Sequence, residues 1–295
     1  MEDEKMMRVV GKVGMMAAAM AVFAASSAFA VNPRLGTPNA SAIASPDEVG
    51  PRTFNGTGFE QAEGYNVGLI SNVNGWRCFG AANLTPPGPR CSSGVVAKGN
   101  GSPQSLLLDM NPNFPNGTNV GAFTPKFKDF LTPTFNLDMR IDDVGGADYT
   151  VTPQTPAQGF STSRIIFSYT GYVYALDDLD GPGPGTGLGF VAIAIAPLDT
   201  WFTFQFDYDY ANRSVVYSWG PDKLNLTPIY TGYLYGGTQV EEIVLFSDNF
   251  QNGGSGSISG GPVGTYIDNV IAKPEPGTLA MLGIGALLAL RRRSR

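Results

Sequence analysis

Trp201-Phe-Thr-Phe-Gln-Phe-Asp-Tyr-Asp-Tyr210 decides the fold class, because aromatic and polar residues alternate along it for ten positions. Alternation with a period of two is typical of a β-strand with one buried face. An Ala-Asn-Arg turn follows, and Ser214-Val-Val-Tyr-Ser-Trp219 then has the pattern of the hairpin partner strand. We expect the three phenylalanines in the core. The opposite face then comprises Trp201, Thr203, Gln205, Asp207 and Asp209.

Short apolar or alternating segments continue on both sides of this hairpin, separated by Gly, Pro and Asn. The 295 residues include 38 Gly and 22 Pro, which argues against a helical bundle. Between the two chain ends we find neither a helical period nor a fixed-length repeat. The sequence therefore predicts an all-β protein, an antiparallel β-sandwich of jelly-roll type in residues 54–273. Residues 31–53 are rich in Pro and small polar residues and are predicted to be a flexible lead-in.

Residues 1–30 have the layout of a secretory signal peptide. Three basic residues precede the uncharged segment 13–25, and Ala28-Phe29-Ala30 is a small-residue cleavage site. The uncharged segment is shorter than the roughly 20 residues that a membrane span needs. We predict a signal helix that is removed after Ala30, which makes the mature protein an exported one.

The last 22 residues, 274–295, have a different three-part layout. Pro274-Glu275-Pro276 comes first, and an uncharged segment, 277–290, follows it. As a helix this segment spans about 21 Å, less than the roughly 30 Å of a bilayer core, so it is a marginal permanent anchor. The positive-inside rule keeps the basic end in the cytoplasm and the body outside. The basic residues are Arg291, Arg292, Arg293 and Arg295.

This tail resembles the PEP-CTERM sorting signal of Gram-negative bacteria, in which a Pro-Glu-Pro motif is followed by a short helix and a basic end. The resemblance implies processing by an exosortase, an integral-membrane transpeptidase, after transient anchoring in the inner membrane. It implies delivery to the cell envelope, the cell surface or the extracellular matrix. A simple tail anchor is the alternative. The resemblance covers only residues 274–295 and does not describe the cargo.

A second resemblance covers the middle of the chain. Gly58-Phe-Glu60, Asn74-Gly-Trp76 and Tyr266-Ile-Asp-Asn-Val270 resemble the edges of concanavalin A-like, or laminin-G-like, jelly rolls. In several carbohydrate-binding modules of this kind, a Glu near the first strand and an Asp in the last strand hold a structural calcium ion. The resemblance implies this role for Glu60 and Asp268. The alternative, that both are ordinary edge residues, stays open.

Leu176-Asp-Asp-Leu-Asp-Gly181 offers a different calcium set, Asp178 and Asp180, because carboxylates at alternate positions before a Gly can converge on one cation. The Pro-Gly repeat that follows lacks the further ligands of a calcium loop. A solvated acidic turn is therefore the favoured interpretation. No other cofactor is indicated.

Charge and cysteine content bear on partners and compartment. Residues 31–273 contain 12 Lys and Arg against 21 Asp and Glu, a formal charge of −9, which argues against nucleic acid as a partner. Cys78 and Cys91 are the two cysteines, and in an exported protein such a pair is expected to form a disulfide. The alternative, a reactive thiol, lacks a His partner.

Several enzyme classes find no support in the residues. The chain contains no His, so triads and Cys-His pairs are excluded. Glucanases with a jelly-roll fold use a Glu-x-Asp-x-x-Glu strand, and this motif is absent. From these absences we predict that the chain is not an enzyme, with a glycosidase or lyase as a distant alternative.

Aromatic side chains are the remaining binding candidates. Trp76, Trp201 and Trp219 can form a stacking platform for flat sugar faces, although alternating aromatics are more often the core of a sandwich. Our leading hypothesis is an exported cell-surface protein with a structural or adhesive role in the envelope or the exopolysaccharide. The second hypothesis is a carbohydrate-binding module assisted by calcium.

Overall fold

The computed structural model describes residues 38–43, 54–70, 72–79, 94–110, 118–129, 131–142, 147–182, 187–249 and 263–273. The predicted signal helix, the sorting motif, the C-terminal helix and Cys91 lie outside these ranges. Within them, we find no helix with the length and apolar character needed to cross a membrane.

Strands make up almost all of the regular structure in the described residues. Seventeen strands are present, together with two short 3₁₀ helices, Gln61–Glu63 and Pro156–Gln158. The strands are β1 (Gly56–Thr57), β2 (Gly68–Leu69), β3 (Arg77–Phe79), β4 (Gly94–Val96), β5 (Ser105–Met110), β6 (Thr118–Phe123), β7 (Thr134–Ile141), β8 (Ala147–Thr155), β9 (Phe160–Ser161), β10 (Arg164–Phe167), β11 (Tyr172–Asp178), β12 (Leu188–Ile195), β13 (Trp201–Asp209), β14 (Ser214–Gly220), β15 (Thr227–Tyr233), β16 (Glu242–Asn249) and β17 (Val263–Lys273).

These strands form two antiparallel sheets. The nine-stranded sheet has the order β15-β14-β13-β7-β17-β5-β4-β2, and β1 pairs with β17. The eight-stranded sheet has the order β12-β11-β10-β8-β16-β6-β3, and β9 pairs with β8. From β5 to β8, and again from β15 to β17, the chain crosses between the sheets at every connection. This is a β-sandwich of jelly-roll type, which confirms the predicted fold class.

The hairpin that decides the fold class is built as its sequence predicts. β13 pairs with β14, and Phe206 lies opposite Tyr217. Phe202, Phe204 and Phe206 are buried in the core between the sheets. The ring of Phe204 meets that of Phe167, from the eight-stranded sheet, edge-on at 5.7 Å. Aromatic contacts across the two sheets therefore fix which face of β13 points outward.

Part of the predicted flexible lead-in contacts the sandwich. Ser41 pairs with Phe160 at the start of β9, and the backbone N–H of Ala42 donates to the carbonyl of Gly159 at 3.0 Å. The backbone of Ile43 both donates to and accepts from the amide of Gln154, at 2.9 and 3.1 Å. Residues 38–43 thus extend the strand region beside β8 and β9.

Candidate functional site

The outer face of the nine-stranded sheet carries a row of partly exposed side chains, which we call the β13 stripe: Trp201, Gln205 and Asp207. Because Phe202, Phe204 and Phe206 occupy the core, these alternate residues face away from it. The indole of Trp201 lies 6.5 Å from the ring of Tyr266 on β17. The stripe thus combines an exposed aromatic ring with hydrogen-bonding groups on one strand.

Neighbouring side chains hold the polar part of the stripe in place. The hydroxyl of Thr134 donates to Asp207 Oδ1 at 2.8 Å, and the amide of Gln205 donates to Asp207 Oδ2 at 2.8 Å. The amide of Asn136 donates to Gln205 Oε1 at 3.4 Å. Such support limits the rotamers of the stripe before any ligand arrives, which lowers the entropic cost of binding.

Two carboxylates lie side by side on the strands next to β13, because Asp138 of β7 is paired with Thr203 of that strand. Asp138 on β7 is paired in register with Asp268 on β17, and both are buried. Immediately after Asp268 the pairing shifts, and Asn269 adopts a positive φ of 47°. Like charges directly opposite each other destabilise a sheet, so this juxtaposition needs compensation.

Hydrogen bonds supply part of that compensation. Asp268 accepts from the backbone N–H of Asn100 at 2.8 Å and from the hydroxyl of Ser102 at 2.9 Å. Asp138 accepts from the side-chain amides of Asn100 and Asn269 at 2.9 and 2.8 Å. In the described part of the chain, no Lys or Arg forms an ion pair with either carboxylate.

Glu60, the other half of the predicted calcium pair, approaches this cluster from the start of the domain. A Cβ atom placed on Gly58 would lie 3.7 Å from Glu60 Cγ and 3.8 Å from Asp268 Oδ1, so the two side chains flank the same glycine. Glu60 Oε1 is buried and has no hydrogen-bond partner. The sandwich therefore brings the two predicted residues together, although they are more than 200 positions apart in the chain.

The carboxylates of Glu60 and Asp268 could hold a hard cation only together with further oxygen ligands. Across the described ranges, no three or more carboxylate, thiol or imidazole groups are arranged so that they could hold a metal ion. Calcium takes six to eight oxygen ligands and accepts backbone carbonyls and water among them. Glu60 and Asp268 can supply two anionic ligands, and the rest would be neutral oxygens.

The three predicted tryptophans do not form one platform. Trp76 is fully buried, and its Nε1–H donates to the hydroxyl of Tyr65 at 2.9 Å, so its ring is a core element and cannot stack on a sugar. Trp219 lies opposite Phe204 and packs against the core. Only Trp201 faces outward from the nine-stranded sheet, because it precedes the first core phenylalanine of β13 by one residue.

The remaining predicted residues are separate from this site. Cys78 on β3 is partly buried against the core, and its disulfide with Cys91 stays a prediction because Cys91 is not described. Asp178 is buried at the end of β11, whereas Asp180 is exposed in the following turn. Sequence analysis missed Asp138 and Asn100, because only strand register and a loop crossing bring them to Asp268.

Comparison with known proteins gives likeness in overall structure. No protein-family model and no curated protein matches the chain. A sialidase structure is similar with a TM-score of 0.45 and 10% identity over 68% of this chain, which spans 17% of the sialidase. A glycosyl hydrolase family protein from Mycobacterium fortuitum is similar with a TM-score of 0.45 and 11% identity. The match covers 68% of this chain and 92% of that protein. A Bacillus licheniformis β-glucanase is similar with a TM-score of 0.42 and 15% identity. The match covers 75% of this chain and 99% of the glucanase.

These comparisons contradict our prediction that the chain is not an enzyme, because the similar structures are glycoside hydrolases. That prediction used only motifs within single strands. A sandwich also assembles carboxylates from separate strands, as Asp138 and Asp268 demonstrate, and a linear search cannot detect them. We withdraw the prediction. A likeness at this level assigns no reaction and no substrate to this chain.

The buried carboxylate at Asp268 predicts a specific pH dependence of stability. Burial raises the pKa of Asp268 above its ordinary value of 3.8, so the folded state binds this proton more tightly than the unfolded state. Its contribution is favourable below about pH 4 and is lost as pH rises through the raised pKa. In EGTA, we expect the free energy of unfolding of the wild type to fall with rising pH relative to Asp268→Asn, as measured by urea denaturation.

The control for this experiment is Asp199→Asn, which removes a mostly exposed carboxylate that forms an ion pair with Arg140 of β7. The control should keep the wild-type loss of stability above about pH 4. If the difference in free energy of unfolding between the wild type and Asp268→Asn stays constant with pH, the raised pKa of Asp268 is contradicted.

Proposed function

We propose that this protein is an exported carbohydrate-binding protein that holds its glycan on the β13 stripe. The observation that carries the proposal is the partly exposed indole of Trp201 on the same strand face as Gln205 and Asp207. Binding a polysaccharide in this way would give the protein a structural or adhesive role at the cell surface or in an extracellular matrix.

The chemistry of the stripe suits a sugar chain. The apolar face of a pyranose ring packs on an indole, while carboxylate and amide groups bind the hydroxyl groups at its rim. Successive side chains on one face of a strand lie about 6.6 Å apart, so the stripe extends over a distance longer than one sugar ring. Because the surrounding body carries a formal charge of −9, a neutral glycan is favoured at this face.

Replacing Trp201 tests the stripe directly. We expect Trp201→Ala to weaken binding of a neutral oligosaccharide about tenfold, at the upper end of what an aromatic stacking contact contributes. Candidate ligands come from a glycan array, and affinities from isothermal titration calorimetry. Tyr233→Ala is the matched control, since Tyr233 is an exposed aromatic on β15, outside the stripe.

Equal losses in both variants, or no loss in either, would contradict glycan binding on the stripe. The same mixtures are analysed for shortened sugars. Turnover that disappears in Asp207→Asn would replace the binding proposal with a catalytic one at the same face.

We also propose that calcium links Glu60 near the start of the domain to Asp268 in its last strand. The unpartnered, buried Glu60 Oε1 and the two adjacent carboxylates on β7 and β17 support this assignment. A divalent cation would offset their repulsion and would tie the two ends of the domain together. The ion would stabilise the sheet that carries the β13 stripe.

Removing the ion should lower the melting temperature. Calcium at a hundred times its Kd contributes about 2.7 kcal/mol, and we therefore expect EGTA to reduce the Tm by about 5–10 °C. Glu60→Gln should abolish most of this response. Asp180→Asn, in the alternative acidic turn, should keep it. A response lost in Asp180→Asn but kept in Glu60→Gln would move the calcium to that turn, and no response in the wild type would remove the proposal.

For export we propose the route that the two chain ends predict: signal cleavage after Ala30, transient anchoring in the inner membrane, and exosortase processing near Pro274-Glu275-Pro276 of a Gram-negative bacterium. The order of these segments supports this route. The acidic body, which lacks a basic surface excess, supports polysaccharide rather than nucleic acid as the partner.

Intact-mass spectrometry of the protein recovered from the cell surface tests this route. We expect a chain that begins at Val31, has lost the tail that follows the Pro-Glu-Pro motif, and weighs two hydrogens less than the reduced form because Cys78 and Cys91 are bonded. In a strain without exosortase the tail should remain. An intact tail in the presence of the exosortase would contradict sorting, and two titratable thiols would contradict the disulfide.

A further inference from the structure

The outer face of the eight-stranded sheet carries an arginine whose charge is not balanced. Ile165 and Phe167 of β10 are buried in the core, so Arg164 faces outward, opposite Leu176 of β11. Arg164 Nη2 donates to the hydroxyl of Ser161 at 3.2 Å, and its Nε is buried without a hydrogen-bond partner. In the described residues, no carboxylate forms an ion pair with it.

A second unsatisfied group lies next to it. Thr152 of β8 is fully buried, and its Oγ1 has no hydrogen-bond partner. Because Ile165 pairs with Val151 and Ile166 with Thr150, the antiparallel register sets Thr152 beside Arg164 on the outer face. Two neighbouring strands thus present two unpaired donors at one place.

The carboxylate of Glu242, on the same face of this sheet, is already engaged. Glu242 forms a salt bridge with Arg77 and accepts from the amide of Gln154 at 2.8 Å. Burial lowers the pKa of Arg164 to about 10, so the group is still charged at neutral pH. Buried charges in proteins are normally paired, and this one lies in a body that has an excess of acids.

We propose that Arg164 and Thr152 bind the carboxylate of an acidic sugar unit, in a glycan other than the neutral one that the β13 stripe favours. The Nε and Nη2 groups of an arginine present two parallel N–H bonds that match the two oxygens of a planar carboxylate. The hydroxyl of Thr152 can donate a further hydrogen bond. This contact is separate from the β13 stripe, and it rests on the proposed function in that the anion belongs to a glycan.

Calorimetry with matched ligands tests the inference. An oligogalacturonate, a neutral galacto-oligosaccharide of equal length and a sulfated one are titrated into the full mature protein. We expect the oligogalacturonate to bind at least tenfold more tightly than the neutral sugar. Arg164→Gln and Arg164→Lys should both remove this preference, because each lacks the side-on pair of donors. Thr152→Val should reduce it.

Lys223→Gln is the matched control, since it removes one positive charge from an exposed turn and should leave the preference unchanged. Thermal melting without ligand separates a binding role from a structural one. Removal of an unbalanced buried charge should leave the Tm of Arg164→Gln unchanged or raise it. If the Tm of Arg164→Gln falls while this variant still binds the oligogalacturonate more tightly than the neutral sugar, the proposal is overturned.

The ligand series distinguishes failure here from failure of the proposed function. If the neutral sugar binds in a way that depends on Trp201 and the oligogalacturonate binds no more tightly, only the Arg164 site is overturned. Equal binding of the sulfated sugar would overturn the carboxylate assignment. Absence of binding by all three sugars, after a negative glycan array, would overturn both proposals.

Discussion

A β-strand has two faces, and the burial of one face of β13 governs much of this molecule. Phe202, Phe204 and Phe206 fill the space between the sheets, where their rings meet aromatic rings of both sheets. A shift of the β13 register by one residue would expose all three rings and bury Gln205 and Asp207, which is energetically prohibitive. The core thereby determines which side chains are available to a ligand, and it does so before any ligand is present.

The irregular part of the last strand has a different origin. At Asp268 the ladder between β17 and β7 shifts, and positive φ angles occur at Asn269 and, on the segment that approaches it, at Phe59. Strain of this kind persists only where the surroundings hold it, and it is frequent at binding sites. Here the irregular backbone turns Asp268 toward Gly58 and places it beside Asp138. The local geometry therefore favours the proximity of groups that repel one another.

Sequence alone predicts the parts of this structure that depend on period and local chemistry. Alternation in β13 predicts a strand, its partner, its core face and the outward position of Trp201. It cannot separate Trp76 from Trp201, because burial of Trp76 depends on contacts with Phe54 and Phe59 that form only in the folded sandwich. The pairing of Asp138 with Asp268 depends on register between distant strands. Arg164 belongs to no sequence motif, and only the three-dimensional structure reveals that no described carboxylate forms an ion pair with it.

In the described residues, each outer face of the sandwich carries charged side chains without an ion-pair partner, and the two faces differ in the sign of that charge. Asp138 and Asp268 lie on the outer face of the nine-stranded sheet, and Arg164 lies on the outer face of the other. The sheets of a sandwich are about 10 Å apart, and here an aromatic core fills the space between them. No side chain can cross that core to neutralise the opposite face. The proposed calcium ion and the proposed acidic sugar would supply the two counter-charges from outside the domain, one on each side of the core.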